Sequence, residues 1–473
     1  MRSTKQLNLK PKEHLLIIGA GLCGSLLALR MAQRGYQITL VEKRPDLRKV
    51  TQDAGRSINL ALSDRGLKGL RLAGVEKEAL KLCIPMNGRM IHPTNGEAFL
   101  SPYSGREGEY INSISRPGLN RLLLDAIDKM PNVEMHFNLG CEIVDLENAS
   151  ATFKNYETGS FENFSADILI GTDGAGSAVR KSMFEHKKFL FSFSQQWLTH
   201  GYKELEIPAA ENGGFKTYKN ALHIWPRGED MLIALPNLDG SFTVTLFLPY
   251  SNSDYCFDNL TSAEKVEEYF QKEFPDAMEL MPNLAEEFFN NPTGPLGTIK
   301  CSPWHCYGKS LLMGDAAHAI VPFYGQGMNA SFEDVVVFDK ILEQFEGNWQ
   351  QVFFEYEKAR KKDTDAIADL ALDNFHEMKE HTASALFQQK RKLEIAFETQ
   401  LPKQYFSKYS LVTFNEGISY SEAMKKGRAQ DKAILNLLDD GKLKDEMSLE
   451  EKLQLVQKET NDILHDDDLV KNL

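Results

Sequence analysis

The sequence lacks a hydrophobic run long enough to cross a membrane. Its longest apolar stretch, from Leu15 to Leu29, falls short of the ~20 residues that a membrane-spanning helix needs, and glycines interrupt it. Residues 1–14 contain no apolar segment typical of a signal peptide, and the segment from Lys442 to Leu473 is too charged for a membrane anchor. We therefore expect a cytoplasmic protein without a membrane anchor.

An excess of positive charge is also missing, because the formal net charge is -13 at pH 7. Nucleic acids and anionic membranes favour proteins with a basic surface, so the charge argues against both as partners. The sequence shows no internal repeat and no low-complexity linker. Its length of 473 residues suggests two or three globular domains.

Cysteine is scarce, and the six cysteines are scattered along the chain. They are too few and too widely spaced for a disulfide framework, so we expect reduced thiols. Cys301 and Cys306 have the spacing of a redox-active pair, but they come late in the chain, and we expect inert structural thiols. His305 and His318 lie nearby in sequence without metal-ligand spacing, so we expect no metal site.

What the sequence does contain is a repeated change from strand to helix. Leu15 to Ile18 form a predicted buried strand, a helix is predicted from Ser25 to Arg34, and a second strand runs from Ile38 to Val41. Similar strands that run into turns lie at Asp167 to Ile170 and at Ser310 to Met313. This alternation predicts a parallel sheet with helical crossovers.

Between these pieces, three short runs alternate apolar and other residues and are separated by turn signals. This pattern predicts antiparallel strands with one buried face. The predicted strands are Ala221 to Trp225, Met231 to Leu235 and Phe242 to Leu248, with turns at Pro226 to Asp230 and Pro236 to Ser241. From Glu333 onward, few glycines or prolines occur until Pro402, and the pattern is helical.

A Gly-x-Gly-x-x-Gly motif, Gly19, Gly21 and Gly24, joins the first predicted strand to its helix. Glycines there permit a tight turn and close approach to a pyrophosphate, and the helix N-terminus offers N–H groups to the phosphates. Glu42 follows Gly24 by 18 residues (42 − 24), where a carboxylate would bind ribose hydroxyls. The motif predicts a dinucleotide site and does not by itself separate NAD from FAD.

Two further acids, Asp173 and Asp315, end predicted strands. Ligands of open α/β sheets sit at the carboxyl ends of the strands, so both side chains should point toward one crevice, where an acid could hold the hydroxyls of a ribityl chain. The segment from Gly325 to Asn329 then opens a long helix, whose N-terminus could stabilise negative charge. Taken singly, each acid is better explained as a turn or cap residue.

In this order and spacing, the three motifs resemble those of the class A FAD-dependent aromatic hydroxylases. Further stretches, up to about residue 425, resemble the kynurenine 3-monooxygenase family within that class. These stretches are Gly55 to Leu62, Gly88 to His92, His200 to Leu205, Asn220 to Pro226, Ala234 to Asn237, Ser241 to Leu248 and Pro322 to Asn329.

The resemblance implies an α/β fold with a discontinuous Rossmann-like FAD-binding domain, an inserted antiparallel β-sheet substrate domain and a C-terminal helical segment. The expected boundaries are 1–190 for the first FAD-binding part, with 70–106 contributing to the substrate domain. They continue with 191–295 for the antiparallel sheet, 296–345 for the second FAD-binding part and 346–473 for the helices.

The resemblance also implies FAD as cofactor and NADPH as co-substrate. Because a second Gly-x-Gly-x-x-Gly motif is missing, NADPH should lack a Rossmann domain of its own, and Asp173 with Gly174 would serve both nucleotides. The implied FAD-binding residues are Gly19, Gly21, Cys23, Gly24, Glu42, Arg44, Ala61, Arg116, Asp173, Asp315, Gly327, Met328 and Asn329.

The implied substrate is L-kynurenine, with Arg89 and Tyr103 binding its carboxylate and Asn374 and Tyr409 completing the polar end. A guanidinium fork is well suited to a carboxylate. The implied pocket around the aryl ring consists of Leu222, Met231, Ile233, Leu235, Thr245, Phe247, Pro322, Phe323 and Met378. Ordinary core packing would explain these apolar residues equally well.

By the same resemblance, the reaction consumes NADPH and O₂ and proceeds through a flavin C4a-hydroperoxide to 3-hydroxykynurenine. No protein residue is expected to act as catalyst beyond the flavin, and the role of Tyr324 is open.

Hydroxylation of another aromatic acid, or a non-catalytic dinucleotide-binding protein, would fit the same motifs. A flavin halogenase fits less well, because a Trp-x-Trp-x-Ile-Pro motif is missing. A monomer and a homodimer are both compatible with the sequence.

Overall fold

A computed structural model of the protein describes residues 12–50, 59–377 and 385–466. The strands are β1 (His14–Ile18), β2 (Gln37–Val41), β3 (Asn59–Leu62), β4 (Cys83–Met86), β5 (Gly88–Ile91), β6 (Phe99–Pro102), β7 (Ile111–Ser115), β8 (Val133–His136), β9 (Leu139–Asp145), β10 (Ser150–Asn155), β11 (Phe161–Ser165), β12 (Ile168–Gly171), β13 (Ser192–Ile207), β14 (Leu222–Arg227), β15 (Asp230–Pro236), β16 (Phe242–Pro249), β17 (Thr293–Ser302), β18 (His305–Cys306) and β19 (Ser310–Leu312).

Helices surround the sheets and make up most of the chain after β19. They are α1 (Leu22–Gln33), α2 (Asp64–Leu72), α3 (Glu76–Leu80), α4 (Arg116–Ile127), α5 (Ala178–Glu185), α6 (Ala263–Glu273), α7 (Pro275–Met278), α8 (Leu284–Asn290), α9 (Asp315–His318), α10 (Gly327–Gln344), α11 (Trp349–His376), α12 (Ala385–Gln400), α13 (Lys408–Thr413), α14 (Tyr420–Asp439) and α15 (Leu449–His465). None of these described helices is long and apolar enough to span a membrane.

The predicted parallel sheet is confirmed for five strands, in the order β19-β12-β1-β2-β8, and the short strand β18 adds to its β19 edge in antiparallel orientation. β1 lies between β2 and β12 and is parallel to both. Its residues from Leu15 to Ile18 are all buried, which explains why this strand is a continuous apolar run rather than an alternating one. The carboxyl ends of β1, β12 and β19 therefore meet at one edge.

The helix after β1 starts earlier than predicted, at Leu22 rather than Ser25, and ends at Gln33 rather than Arg34. Gly21 is its N-cap, with φ of -67° and ψ of -176°. The prediction counted Gly24 as part of the turn, whereas the structure places it inside the first helical turn.

A seven-stranded sheet of order β17-β13-β16-β15-β14-β5-β6 contains the predicted antiparallel strands. One face of this sheet packs on α6, α7 and α8 through buried apolar side chains. The turn between β14 and β15 is shorter than the predicted Pro226 to Asp230, because pairing continues to Arg227 opposite Asp230. The opposite face of the sheet is left for the site described below.

The chain after β19 is mainly helical, and α11 packs against both α10 and α14. Buried apolar residues of α11, α13 and α14 form one cluster with residues of the seven-stranded sheet. The helical segment thus covers the sheet face that α6 to α8 leave free.

All six cysteines are free thiols, as predicted. Cys301 and Cys306 are both buried, and the Cys301 thiol donates a hydrogen bond to the carbonyl of Ala317. Burial raises the pKa of both thiols to about 12, which disfavours the reactive thiolate.

Candidate active site

A cavity of about 790 Å³ lies between the parallel sheet, the seven-stranded sheet and the start of α10. The glycine motif and the acids at the strand ends line one part of it. The free face of the seven-stranded sheet, together with α13, lines the other part. The cavity therefore joins a region with the marks of dinucleotide binding to a mostly apolar pocket.

The glycines of the first motif have two separate structural roles. A Cβ atom on Gly24 would lie 1.9 Å from the carbonyl oxygen of Gly19, and one on Gly19 would lie 2.6 Å from the carbonyl oxygen of Thr172. Gly19 also has a φ of +102°, which side chains disfavour. Gly21 lines the cavity and has nothing within 4 Å of its missing Cβ. Gly19 and Gly24 thus permit close packing, whereas Gly21 leaves room for a ligand.

Glu42 follows β2 and faces the cavity beside this turn. One carboxylate oxygen accepts a hydrogen bond of 2.8 Å from the backbone N–H of Ala20. The other oxygen accepts from the backbone N–H and the Nε–H of Arg44. The carboxylate therefore holds the glycine turn in place, and its cavity side can still accept a hydrogen bond from a ligand.

Asp173 and Asp315 line the same cavity. Oδ2 of Asp173 accepts a hydrogen bond of 2.7 Å from the backbone N–H of Ala178, at the start of α5. Oδ1 is buried and has no hydrogen-bond partner among the described residues. Burial raises the pKa of this carboxyl group. Asp173 is thus both a helix cap and an acid with one oxygen left for a ligand.

Asn329, in the first turn of α10, stabilises the preceding loop through hydrogen bonds of its side chain. The Asn329 amide donates hydrogen bonds to the carbonyls of Ala61 and Gly325, and its oxygen accepts from the N–H of Ser63. Gly327 and Met328, next in the chain, line the cavity. Asn329 itself is fully buried and fixes the loop from behind.

At the far end of the cavity, Arg89 lies among three tyrosines. Its guanidinium carbon is 4.7 Å from the ring centroid of Tyr409 and 5.6 Å from that of Tyr103. The Tyr409 ring stacks between those of Tyr103 and Tyr324, with centroids 5.4 Å apart on each side. Nε of Arg89 is buried without a hydrogen-bond partner among the described residues. An anionic group of a ligand would satisfy this donor.

The hydroxyl of Tyr324 is also buried without a described partner. Burial raises the pKa values of Tyr103, Tyr324 and Tyr409, so all three keep their protons at neutral pH. The polar end therefore combines one permanent cation with neutral hydroxyl groups.

Between the two ends, one face of β14, β15 and β16 forms an apolar wall. The two-residue period of the strands places alternate residues on this face. The cavity-lining residues of the wall are Leu222, Met231, Ile233, Leu235, Thr245 and Phe247, and Pro322 and Phe323 lie opposite. The hydroxyl of Thr245 has no hydrogen-bond partner among the described residues.

Most of the residues predicted for the two sites line this cavity. Of the others, Gly24 and Asn329 contribute through packing and loop geometry, as described above. Asn374 is buried, and its amide donates a hydrogen bond of 2.6 Å to the carbonyl of Phe323. Met378 lies outside the described residues. The binding roles of the whole set stay predictions.

Some lining residues were not predicted. Tyr202 lines the cavity because it pairs across the strands with Phe247. Met86 and Ile320 also contact the cavity. Strand register would have revealed Tyr202, but a single sequence does not specify register.

FAD fits the residues present at the first end. Gly21 leaves open space beside a helix N-terminus, where a pyrophosphate binds well. Oδ1 of Asp173, which has no partner in the described part of the chain, and the cavity-facing Glu42 suit hydroxyl groups of ribityl and ribose. The donor set thus agrees with a flavin dinucleotide rather than a free phosphate.

Comparison with known proteins agrees with this geometry. A family model described as "FAD binding domain" matches residues 12–197 and 286–371. The chain is 46% identical over 430 residues to a kynurenine 3-monooxygenase from Myxococcus xanthus (strain DK1622), covering 91% of each chain. A kynurenine 3-monooxygenase from Dictyostelium discoideum is 44% identical over 439 residues, covering 90% of this chain and 93% of the relative.

Solved structures show the same fold at lower identity. The tetrameric form of 2-methyl-3-hydroxypyridine-5-carboxylic acid oxygenase has a TM-score of 0.64 and 20% identity, covering 83% of this chain and 98% of that chain. PqsL from P. aeruginosa has a TM-score of 0.64 and 17% identity, covering 80% of this chain and 99% of that chain.

Proposed function

Because the chain belongs to the kynurenine 3-monooxygenase family of FAD-dependent enzymes, we propose that it hydroxylates L-kynurenine at carbon 3 of the aryl ring. The balanced reaction is L-kynurenine, NADPH, O₂ and a proton giving 3-hydroxykynurenine, NADP⁺ and water. The observation that carries the proposal is the Nε of Arg89, which is buried and has no hydrogen-bond partner among the described residues. It lies at the opposite end of the cavity from the glycine motif, across an apolar wall.

At the first end, Gly21 and the N-terminus of α1 would hold the pyrophosphate of FAD, and Glu42 the adenosine ribose. Asp315 would hold the ribityl side, with Gly327 and Met328 against the flavin. When bound, FAD supplies the hydride acceptor and the oxygen activation that no side chain offers. The protein supplies position and the exclusion of water.

At the second end, the Arg89 guanidinium would bind the α-carboxylate of the substrate, with hydroxyl donors from Tyr103 and Tyr409. A guanidinium held under an aromatic ring is already oriented before the ligand arrives. The aryl ring would then lie along the wall that contains Leu222 and Phe247. Because the amino group of the substrate already activates its ring, the proposal assigns no general base.

The same proposal includes a cytoplasmic location, the domain boundaries given above and a monomeric or homodimeric state. It also includes NADPH as the reductant, which the family supports. The sequence supports the location and the domain boundaries, and it is compatible with either oligomeric state.

Oxidation of NADPH by the purified protein, with and without L-kynurenine, tests the function. We expect strong stimulation by L-kynurenine and a product heavier by one oxygen atom. A yellow protein without stimulation would leave the hydroxylase fold in place and favour hydroxylation of another aromatic acid. A protein that cannot take up FAD would contradict the proposal altogether.

A further inference from the structure

Arg65 is a fully buried arginine outside the cavity, on α2. Only 1% of it is exposed, and its guanidinium donates four hydrogen bonds. One goes to the carboxylate of Glu333, at 2.7 Å. A buried cation needs such partners, because an unpaired charge in the interior costs several kcal/mol.

The other three hydrogen bonds all reach one short stretch of main chain. They run from Arg65 to the carbonyl oxygens of Val412 at 2.9 Å, Asn415 at 3.1 Å and Ile418 at 2.6 Å. This stretch is the end of α13 and the turn that leads into α14. Carbonyls at the end of a helix have no partner within the helix, and here the arginine supplies one.

The first residue of α14 strengthens this attachment. The ring of Tyr420 lies 4.1 Å from the guanidinium carbon of Arg65, and its hydroxyl donates a hydrogen bond of 2.9 Å to the side chain of Gln326. Gln326 is the N-cap of α10 and lies in the chain between Gly325 and Gly327, which both line the cavity. Arg65 and Tyr420 together therefore attach the turn after α13 to the parts of the chain that border the first end of the cavity.

α13 carries Tyr409 and is only six residues long. Isolated helices of this length are unstable in water, so its position depends on contacts at both ends. Lys408 holds the first end, through buried ion pairs with Glu377 and Asp431. Arg65 holds the other end, through Val412, which lies three residues beyond Tyr409.

From these contacts we propose that Arg65 is a positioning residue for substrate binding, which holds Tyr409 over Arg89 by fixing the turn after α13. The inference rests on the proposed function, because it takes Tyr409 as part of the polar end. Arg65 itself touches neither end of the cavity. Its effect should therefore appear in substrate affinity, with FAD content unchanged.

The test compares Arg65→Met and Arg65→Lys with Arg71→Met. Arg71 lies on the same helix but is half exposed and pairs with Glu76 on the surface. The dissociation constant of L-kynurenine is measured from the change in flavin absorbance without NADPH. Loss of one hydrogen bond to a charged carboxylate weakens binding by about ten- to a hundredfold, so we expect an increase of about that size in the dissociation constant for Arg65→Met.

For Arg65→Lys we expect a smaller increase, because a single ammonium reaches fewer of the separated carbonyls. Arg71→Met should bind like the wild type. In steady state, KM should rise more than kcat falls. Wild-type affinity in Arg65→Met would overturn the inference.

Tyr409→Leu, which removes both the ring and the hydroxyl, separates this inference from the proposed function when it is made alone and combined with Arg65→Met. If Arg65 acts through Tyr409, the two effects on affinity are not additive, and the double variant binds little worse than Tyr409→Leu. Full additivity would overturn the inference. If Tyr409→Leu and Arg89→Met both bind like the wild type, the proposed polar end is wrong instead.

Should Arg65→Met fail to fold, hydrogen–deuterium exchange of Arg65→Lys gives the answer. We expect faster exchange in residues 408–418 and unchanged exchange around the glycine motif. Unchanged exchange in residues 408–418 would overturn the inference.

Discussion

Arg89 and Tyr409 are in cation–π contact, with the guanidinium carbon 4.7 Å from the ring centroid. The two residues are far apart in sequence, on β5 and on α13. The contact orients the cation while leaving its Nε without a partner among the described residues. In a site with this geometry, the cation is already oriented before an anion binds.

The first prediction concerns this cation. In Arg89→Met, the binding free energy of L-kynurenine should weaken by about 2–5 kcal/mol, because a buried charge-assisted contact is lost. Titration of the flavin absorbance with L-kynurenine measures the change. FAD content should stay at the wild-type value, since Arg89 lies at the other end of the cavity. Equal loss of FAD and of substrate affinity would contradict the separation of the two ends.

The second prediction separates two glycines of one motif. Gly24→Ala should destabilise the fold by about 1–3 kcal/mol, because its new Cβ would lie 1.9 Å from the carbonyl oxygen of Gly19. Gly21→Val should weaken FAD binding, since its side chain would enter the cavity. It should cost the FAD-free protein only about 1 kcal/mol or less, because valine is a poorer N-cap of α1 than glycine. Urea denaturation and FAD titration measure the two effects. The opposite pattern would show that Gly21 is a packing residue.

The third prediction concerns Asp334, which supports the loop that carries Asp315. Its buried carboxylate accepts from the N–H of Gly314 at 3.1 Å and lies 2.6 Å from Nε2 of His318. It also pairs with Arg360 at 2.7 Å. Burial alone would raise its pKa, but His318 and Arg360 outweigh burial and hold the pKa below its ordinary value.

Asp334→Asn should therefore lower the free energy of unfolding by about 3–5 kcal/mol, because it leaves a buried arginine short of one partner. The pKa of Asp334 in the folded state is depressed. Its contribution to the stability is therefore fully present above the ordinary pKa of an aspartate, and it is lost as the pH falls through the depressed pKa of the folded state. Urea denaturation at neutral pH measures the change. The matched control, Asp365→Asn, removes a more exposed pair with Lys361 and should cost about 0–1 kcal/mol.

The fourth prediction is a pH dependence. Burial raises the pKa of Asp230 to about 7, and Tyr269 donates a hydrogen bond of 2.9 Å to its carboxyl group. Between pH 4 and pH 7 the folded state thus holds a proton that the unfolded chain releases. The contribution of Asp230 is fully present below about pH 4 and is lost as the pH rises through about 7.

Asp230→Asn should remove this contribution to the pH slope. The variant should gain stability relative to the wild type as the pH rises from about 4 to about 7, by at most about 4 kcal/mol, since one pKa unit corresponds to about 1.4 kcal/mol. Thermal or urea denaturation across this pH range measures the difference. Parallel curves for the two proteins would contradict the prediction.

The sequence predicts the local features of the fold well. Four consecutive apolar residues in β1 indicate a strand covered on both faces, and the alternation from Phe242 to Thr245 in β16 indicates one with a separate cavity side. These patterns are local, so they need no knowledge of distant contacts. Resemblance to the family adds the expected binding roles of Arg89 and Tyr103. Spacing alone does not distinguish these two residues from surface residues.

Register and long-range contacts could not be predicted in this way. The pairing of Tyr202 with Phe247 depends on register, which shifts every side chain to the other face when it slips by one residue. Arg65 gives little signal, because three of its four hydrogen-bond acceptors are the main-chain carbonyls of Val412, Asn415 and Ile418, and every residue has such a carbonyl. Its burial becomes visible only when residues some 350 positions apart are brought together.

The order of strands in the parallel sheet has a consequence for biosynthesis. β1 ends at Ile18, but its neighbour β12 starts at Ile168, and β19 starts only at Ser310. A nascent chain on the ribosome therefore presents the glycine motif long before the acid at Asp315 and the start of α10 have been made. We expect flavin to be captured only after the chain has been made at least as far as Gly327, the first residue of α10, so chains terminated before that point would be colourless however much riboflavin the cell supplies.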